Sequence, residues 1–149
     1  MTRLAAVGIV LLMTCAHVAA QSAPASTRPA KEDRPDITLR ASPQMLFSPA
    51  RVSVRAELKG GANDFEDYYC STIEWVWGDG TASESSVDCD PYEPGKSEIR
   101  RYYSSSHTYT VAGRYEVRFR MKKGDKVVGS GSAVVQVRPG IRDMGPYDE

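Results

Sequence analysis

Between Arg51 and Lys59 the chain alternates without a break, with Val52, Val54, Ala56 and Leu58 on one parity and Arg51, Ser53, Arg55, Glu57 and Lys59 on the other. A period of two is the pattern of a half-buried strand, apolar on one face and wet on the other. Tyr115 to Lys122 repeats it, setting Tyr115, Val117, Phe119 and Met121 against Glu116, Arg118, Arg120 and Lys122. Lys126 to Arg138 is a third run, with Val127, Ala133, Val135 and Val137 on one parity; Ile37 to Ala41 and Ile99 to Tyr103 are shorter candidates. No stretch holds a helical period for three turns. Strands that each carry one apolar face need a second sheet to cover them, so the class is all-β and the economical architecture is an antiparallel β-sandwich. The charged parities, which include Arg51, Arg55, Arg118 and Arg120, read as solvated outer faces rather than a basic binding stripe, with Glu57, Glu74 and Glu116 as cross-strand partners.

The ends of the 149-residue chain have a different character. Arg3, the apolar run from Leu4 to Met13 and the small residues Val18-Ala19-Ala20 make residues 1–20 read as a secretory signal cleaved after Ala20. That run is too short to span a bilayer, and nothing later is long or apolar enough, so no transmembrane segment is expected. Leu12-Met13-Thr14-Cys15 faintly resembles a lipobox, which leaves a lipid anchor through Cys15 as the alternative to a secreted or periplasmic protein. Residues 21–35 hold three prolines among small and charged residues and read as a disordered linker. The folded domain is expected over 36–138, with a flexible tail over 139–149. Acidic and basic residues number 19 each, and loss of Arg3 tips the balance by one toward acid. Nucleic acid is therefore not an expected partner, because phosphate binding needs a clustered basic excess.

Two cysteines remain after the leader, Cys70 and Cys89, and in an exported chain such a pair reads as a disulfide. Between them lies WVWGDGT, Trp75 to Thr81. Asp-Gly flanked by strand residues is the signal for a two-residue type I′ hairpin. If Asp79 and Gly80 are the turn, Gly78 faces Thr81, and the same register carried outward sets Cys70 opposite Cys89. By parity Ile73, Trp75 and Trp77 share one face and Cys70 lies on the other, which makes the bridge a staple outside the core.

Trp75-Val76-Trp77-Gly78-Asp79-Gly80-Thr81, then His107-Thr108-Tyr109, then Gly113-Arg114-Tyr115-Glu116-Val117, resembles the pattern of the PKD (polycystic kidney disease repeat) domain family across Asp36 to Arg138. The resemblance implies a PKD-type immunoglobulin-like sandwich, standing alone here, that spaces domains or binds proteins and polysaccharides without catalysis. The stretch from Gly80 to His107 is longer than the family usually has. Within this frame Tyr109 is expected to act as a tyrosine corner, Gly113 to supply a positive φ, His107 to satisfy backbone groups, and Asp79 to be a turn residue bonded to nearby amides.

No catalytic constellation is evident. Ser104, Ser105 and Ser106 adjoin His107, but adjacency is not a triad, and GxSxG and HExxH are absent. The richer surface is expected at the open end of the hairpin, where the register brings Asp64 to Tyr69 beside Asp88, Asp90, Tyr92 and Glu93. Tyr68, Tyr69, Tyr92, Asp67 and Asp90 are its candidate contact residues, since tyrosine is enriched at interfaces. The functional expectation is an exported, non-catalytic recognition, adhesion or scaffold module without cofactor, whose partner is an extracytoplasmic protein or polysaccharide. The alternatives are an accessory carbohydrate-binding protein, marked by a flat row of exposed aromatics, and a calcium-dependent structural module drawing on those carboxylates.

Overall fold

The computed structural model describes residues 33–141; the expected leader, Cys15, nearly all of the linker and the last eight residues lie outside them. Eight strands form two sheets: β1 (Asp36–Ser42), β2 (Met45–Phe47), β3 (Ala50–Lys59), β4 (Thr72–Val76), β5 (Ala82–Ser85), β6 (Tyr102–Tyr109), β7 (Gly113–Lys123) and β8 (Lys126–Arg138). A three-stranded sheet runs β1-β3-β6 and a five-stranded sheet runs β2-β8-β7-β4-β5. All pairings are antiparallel except the short parallel contact of β2 with β8. This is the immunoglobulin-like sandwich that the motifs implied. The peptide bonds before Pro43 and Pro49, which flank β2, are cis.

Parity does what the sequence required of it. Val52, Val54, Ala56 and Leu58 of β3 face Val117, Phe119 and Met121 of β7, all buried, with Ile73, Trp75 and Trp77 in the same core. Trp75 packs on Phe119 at 4.9 Å between ring centroids, and Tyr103 meets the same ring at 5.3 Å. Burying side chains of this size contributes roughly 2 to 3 kcal/mol each, which is why two short sheets suffice.

Four departures have local causes. Met121 pairs with Gly129 but Lys122 with Val127, so an extra residue enters β8. A bulge flips the parity beyond it, and Val128 is buried where Val127 was expected. The strand expected from Ile99 begins only at Tyr102; Ile99 is buried from a loop. β6 is rich in serine and was recognisable mainly by its closing His-Thr-Tyr. Residues 33–35, assigned by composition to the linker, are docked: Pro35 is buried, Asp33 accepts a hydrogen bond from the Ala62 amide at 2.8 Å, and the Arg34 guanidinium lies over the Tyr68 ring.

Candidate functional site

The Gly-Asp-Gly turn differs from its expected form. Ile73 pairs with Ser85, Glu74 with Glu84, Trp75 with Ser83 and Val76 with Ala82, a register one residue off that of a two-residue turn, and the Trp77 amide donates to the Thr81 carbonyl at 3.0 Å. The loop is therefore Gly78-Asp79-Gly80. Both glycines take positive φ, 83° and 89°. Asp79 does not need to, so its side chain turns inward and closes the loop: Oδ1 accepts from the Thr81 amide at 3.0 Å and from the Thr81 hydroxyl at 2.6 Å. Gly78 is also required for space, because a Cβ there would stand 2.8 Å from the Glu116 carbonyl oxygen.

The second carboxylate oxygen of Asp79 meets His107 Nε2 at 2.7 Å. His107 was expected to satisfy backbone groups; its partner is a side chain 28 residues away. The imidazole stacks on Trp77 at 4.7 Å and presents its edge region to Tyr109 at 4.8 Å. Partial burial works to raise the Asp79 carboxyl, but hydrogen bonds from the Thr81 hydroxyl, His107 and the Thr81 amide, with the His107 charge, bring it down to about 2.

Two more expected roles change hands. The buried Tyr109 hydroxyl donates to the Trp77 carbonyl at 2.8 Å, across to the other sheet, whereas Tyr115 returns its hydroxyl to Val111, four residues upstream, at 2.7 Å. Tyr115, near the start of the penultimate strand, is thus the tyrosine corner. The two rings stack at 4.1 Å. Burial, then the charge of Asp79 and the neighbouring Tyr115, push the Tyr109 phenol up to about 12. Gly113 has no positive φ; a Cβ there would stand 3.1 Å from the Tyr115 ring, so its role is room for that corner. Trp77, Gly78, Asp79, Gly80, His107, Tyr109, Gly113 and Tyr115 thus form one joint between the sheets, while the motif residues Trp75 and Val117 are buried in the core.

At the opposite end Cys70 and Cys89 are bridged, with Cα atoms 6.1 Å apart. The expected pairing is present, but not for the expected reason: the β4–β5 ladder stops at Ile73 and Ser85, and both cysteines sit in irregular chain. Cys70 holds φ of 51°, the only positive value among the described non-glycine residues, a conformation of appreciable local cost that the bridge and its neighbours hold in place. The bridge joins the loop before β4 to the loop before β6. Hydrogen bonds reinforce it: Tyr69 donates its hydroxyl to the Asp90 carbonyl at 3.1 Å, Tyr92 to the Asp64 carbonyl at 2.6 Å, and the Gly95 amide to an Asp64 carboxylate oxygen at 2.9 Å. Arg101 fastens the base, donating to Asn63 Oδ1 and to the Gly60 carbonyl at 2.8 Å. Of these anchors, Asn63 and Arg101 carry no sequence signal of their own.

Of the candidate contact residues, Tyr69 and Tyr92 come together as expected, their rings 5.6 Å apart. Partial burial and the carboxylates of Asp64 and Glu66 raise the Tyr92 phenol. Asp90 is exposed beside them. Tyr68 does not join them; a 3₁₀ turn, Glu66–Tyr68, buries it against Phe65, and Arg34 Nε donates to its hydroxyl at 2.9 Å. The spacing of three between two aromatics was the available hint. Asp67 is half-buried and its carbonyl accepts from the Ser71 hydroxyl. A cleft of about 140 Å³ lies against the bridge, walled by Tyr69, Ile73, Val87 and Tyr103. Among the described residues no three His, Cys, Asp or Glu side chains gather to hold a metal ion, and no helix is long and apolar enough to cross a membrane. Exposed Phe47 and Tyr102 lie on different sheets and make no aromatic row.

No family model and no curated protein sequence matches the chain. Among solved structures it is similar to the PKD domain of an M14-like peptidase from a Thermoplasmatales archaeon, at 17% identity over 73% of this chain and 99% of that one, with a TM-score of 0.48. It is also similar to the CARDB domain of a Pyrococcus furiosus protein (12% identity, 72% and 97% covered, TM-score 0.43) and to a superoxide reductase, neelaredoxin, from Ignicoccus hospitalis (14%, 70% and 82%, 0.38). At such identities these likenesses bear on neither activity nor partner.

Proposed function

We propose that the chain is an exported, non-catalytic module for recognition, adhesion or scaffolding, with an extracytoplasmic protein or polysaccharide as partner. The observation that carries this reading is the Cys70–Cys89 bridge between two exposed loops. A bridge persists in an oxidising compartment. It also sets Tyr69, Tyr92 and Asp90 in fixed relation before any partner arrives, which lowers the ordering cost of binding. The polar groups of the motif support the absence of catalysis: the Thr81 hydroxyl is spent on Asp79, Asp79 on Thr81 and His107, and the Tyr109 hydroxyl on a backbone carbonyl. The domain itself is taken as 36–138, extended by the docked residues 33–35.

Expression from the full reading frame in the source cells, followed by fractionation and N-terminal sequencing, tests the export. The expected result is an extracytoplasmic chain that begins at Gln21 and has no free thiol; a cytoplasmic chain with both thiols free overturns the reading. Binding of the labelled protein to isolated cell envelopes tests recognition. It should fall in a Tyr69→Ala, Tyr92→Ala variant, and binding unchanged by that variant removes the stapled loops as the contact surface.

A further inference from the structure

The two outer faces of the sandwich are built on opposite electrostatic plans. On the five-stranded sheet every arginine or lysine of β7 that faces β4 has an acid within reach: Arg120 meets Glu74 at 3.1 Å, Lys122 meets Glu84 at 2.8 Å, and Arg118 meets Glu116 at 2.7 Å. On the three-stranded sheet Arg40 of β1 stands directly opposite Arg55 of β3, with Arg51 four residues along the same strand and on the same face. None of these three exposed arginines has a carboxylate within ion-pair distance among the described residues. Glu57, the expected partner, pairs with Lys59. Like charges set opposite one another destabilise a sheet, and a local rule broken without compensation is expected at a site of function.

The rest of this face says what kind of anion fits. The Arg55 guanidinium lies 4.7 Å over the Tyr102 ring, a cation–π contact that holds this exposed arginine beside β6. Arg51 donates to the Ser106 hydroxyl at 3.1 Å. Ser53, Ser104 and Thr108 add exposed hydroxyls, and Tyr102 is the one large apolar side chain exposed on the face. A protein partner would want a buried apolar centre to anchor it. A flat, hydroxyl-rich strip with guanidinium groups at two stations about 13 Å apart, the rise of four strand residues, instead suits a linear chain of hydroxylated rings that carries carboxylates at intervals. We infer that the outer face of β1-β3-β6 binds an acidic polysaccharide of the uronic acid type through Arg40, Arg51 and Arg55. The inference rests on the proposed recognition role but uses a surface apart from the stapled loops.

The test is titration of the purified, disulfide-intact protein with oligogalacturonate, with neutral dextran and poly-L-glutamate as comparison ligands, at low and at physiological salt. Oligogalacturonate should bind, with affinity falling as salt rises, and dextran should not. Arg40→Gln with Arg55→Gln should lose about tenfold in affinity, the scale of two exposed charge pairs. Arg118→Gln with Arg120→Gln removes the same charge from the other face and should leave binding unchanged. Arg40→Gln alone should melt at or above the wild-type temperature, since it relieves a like-charge pair and leaves the contact of Arg55 with Tyr102 in place. No binding of oligogalacturonate, an equal loss in both double variants, equal affinity for poly-L-glutamate, or a lowered melting temperature in Arg40→Gln each overturns the inference. Export and envelope binding through Tyr69 and Tyr92 would stand in those cases, whereas a cytoplasmic chain would remove the recognition reading itself.

Discussion

Replacing Asp79 by Asn separates a turn residue from a charged joint. Asn suits the loop as well as Asp does and can still accept from Thr81, so on local grounds the change should be neutral. The structure gives the carboxylate more to do. Its pKa lies near 2 against an ordinary 3.8, because the Thr81 and His107 interactions outweigh the opposing effect of partial burial. A shift of that size corresponds to about 2.5 kcal/mol at full strength, and exposure of the pair, at 21% and 22% of their side chains, reduces it to about 1 to 2 kcal/mol through solvent screening. The sign follows from the depression: the stabilisation is fully present above the unfolded value near 4 and is lost as pH falls toward 2. Urea denaturation of both proteins at pH 5 and at pH 2.5 measures it. Wild type should lead by about 1 to 2 kcal/mol at pH 5, and the lead should shrink at the lower pH. In a His107→Phe background the same substitution should cost less, by the share the imidazole carries. A lead below about 0.3 kcal/mol at pH 5, or one that does not change with pH, would refute the argument that the charge of Asp79 holds the turn to β6.

Phe119, fully buried between Trp75 and Tyr103, should cost about 3 to 5 kcal/mol when cut to Ala, measured by chemical denaturation. Gly78→Ala should be worse than Gly80→Ala: both force positive φ on an L-residue, at a cost of about 1 kcal/mol or more, but only Gly78 also drives a Cβ into the Glu116 backbone. Tyr109→Phe strips the Trp77 carbonyl of its buried donor and should cost about 1 to 3 kcal/mol in thermal or urea unfolding. Reducing the Cys70–Cys89 bridge should cost about 3 kcal/mol and, in hydrogen exchange by mass spectrometry, loosen 86–91 far more than 64–69, because Phe65 and Tyr68 remain buried without it. Equal loosening of both segments would count against that anchoring.

The alternation in β3 and β7 was enough to establish the strands, their inward faces and hence a two-layer sandwich, because strand parity is a property of consecutive residues. The cysteine pair and the three motifs were equally visible as residue types in order. What each motif residue does was decided only by the packed structure. Asp79 and His107 stand 28 positions apart, and their contact depends on how β6 lies against the turn between β4 and β5. The same holds for the tyrosine corner, which was expected at Tyr109; the hydroxyl geometry assigns it to Tyr115. A three-residue loop and a bulge each shift register by one residue, and with a period of two a single step exchanges inside for outside, which is why Val128 rather than Val127 is buried. The arginines of the outer faces looked alike in sequence. Which of them meets an acid is settled by the strand beside it: β4 brings Glu74 to Arg120, and β1 brings Arg40 to Arg55.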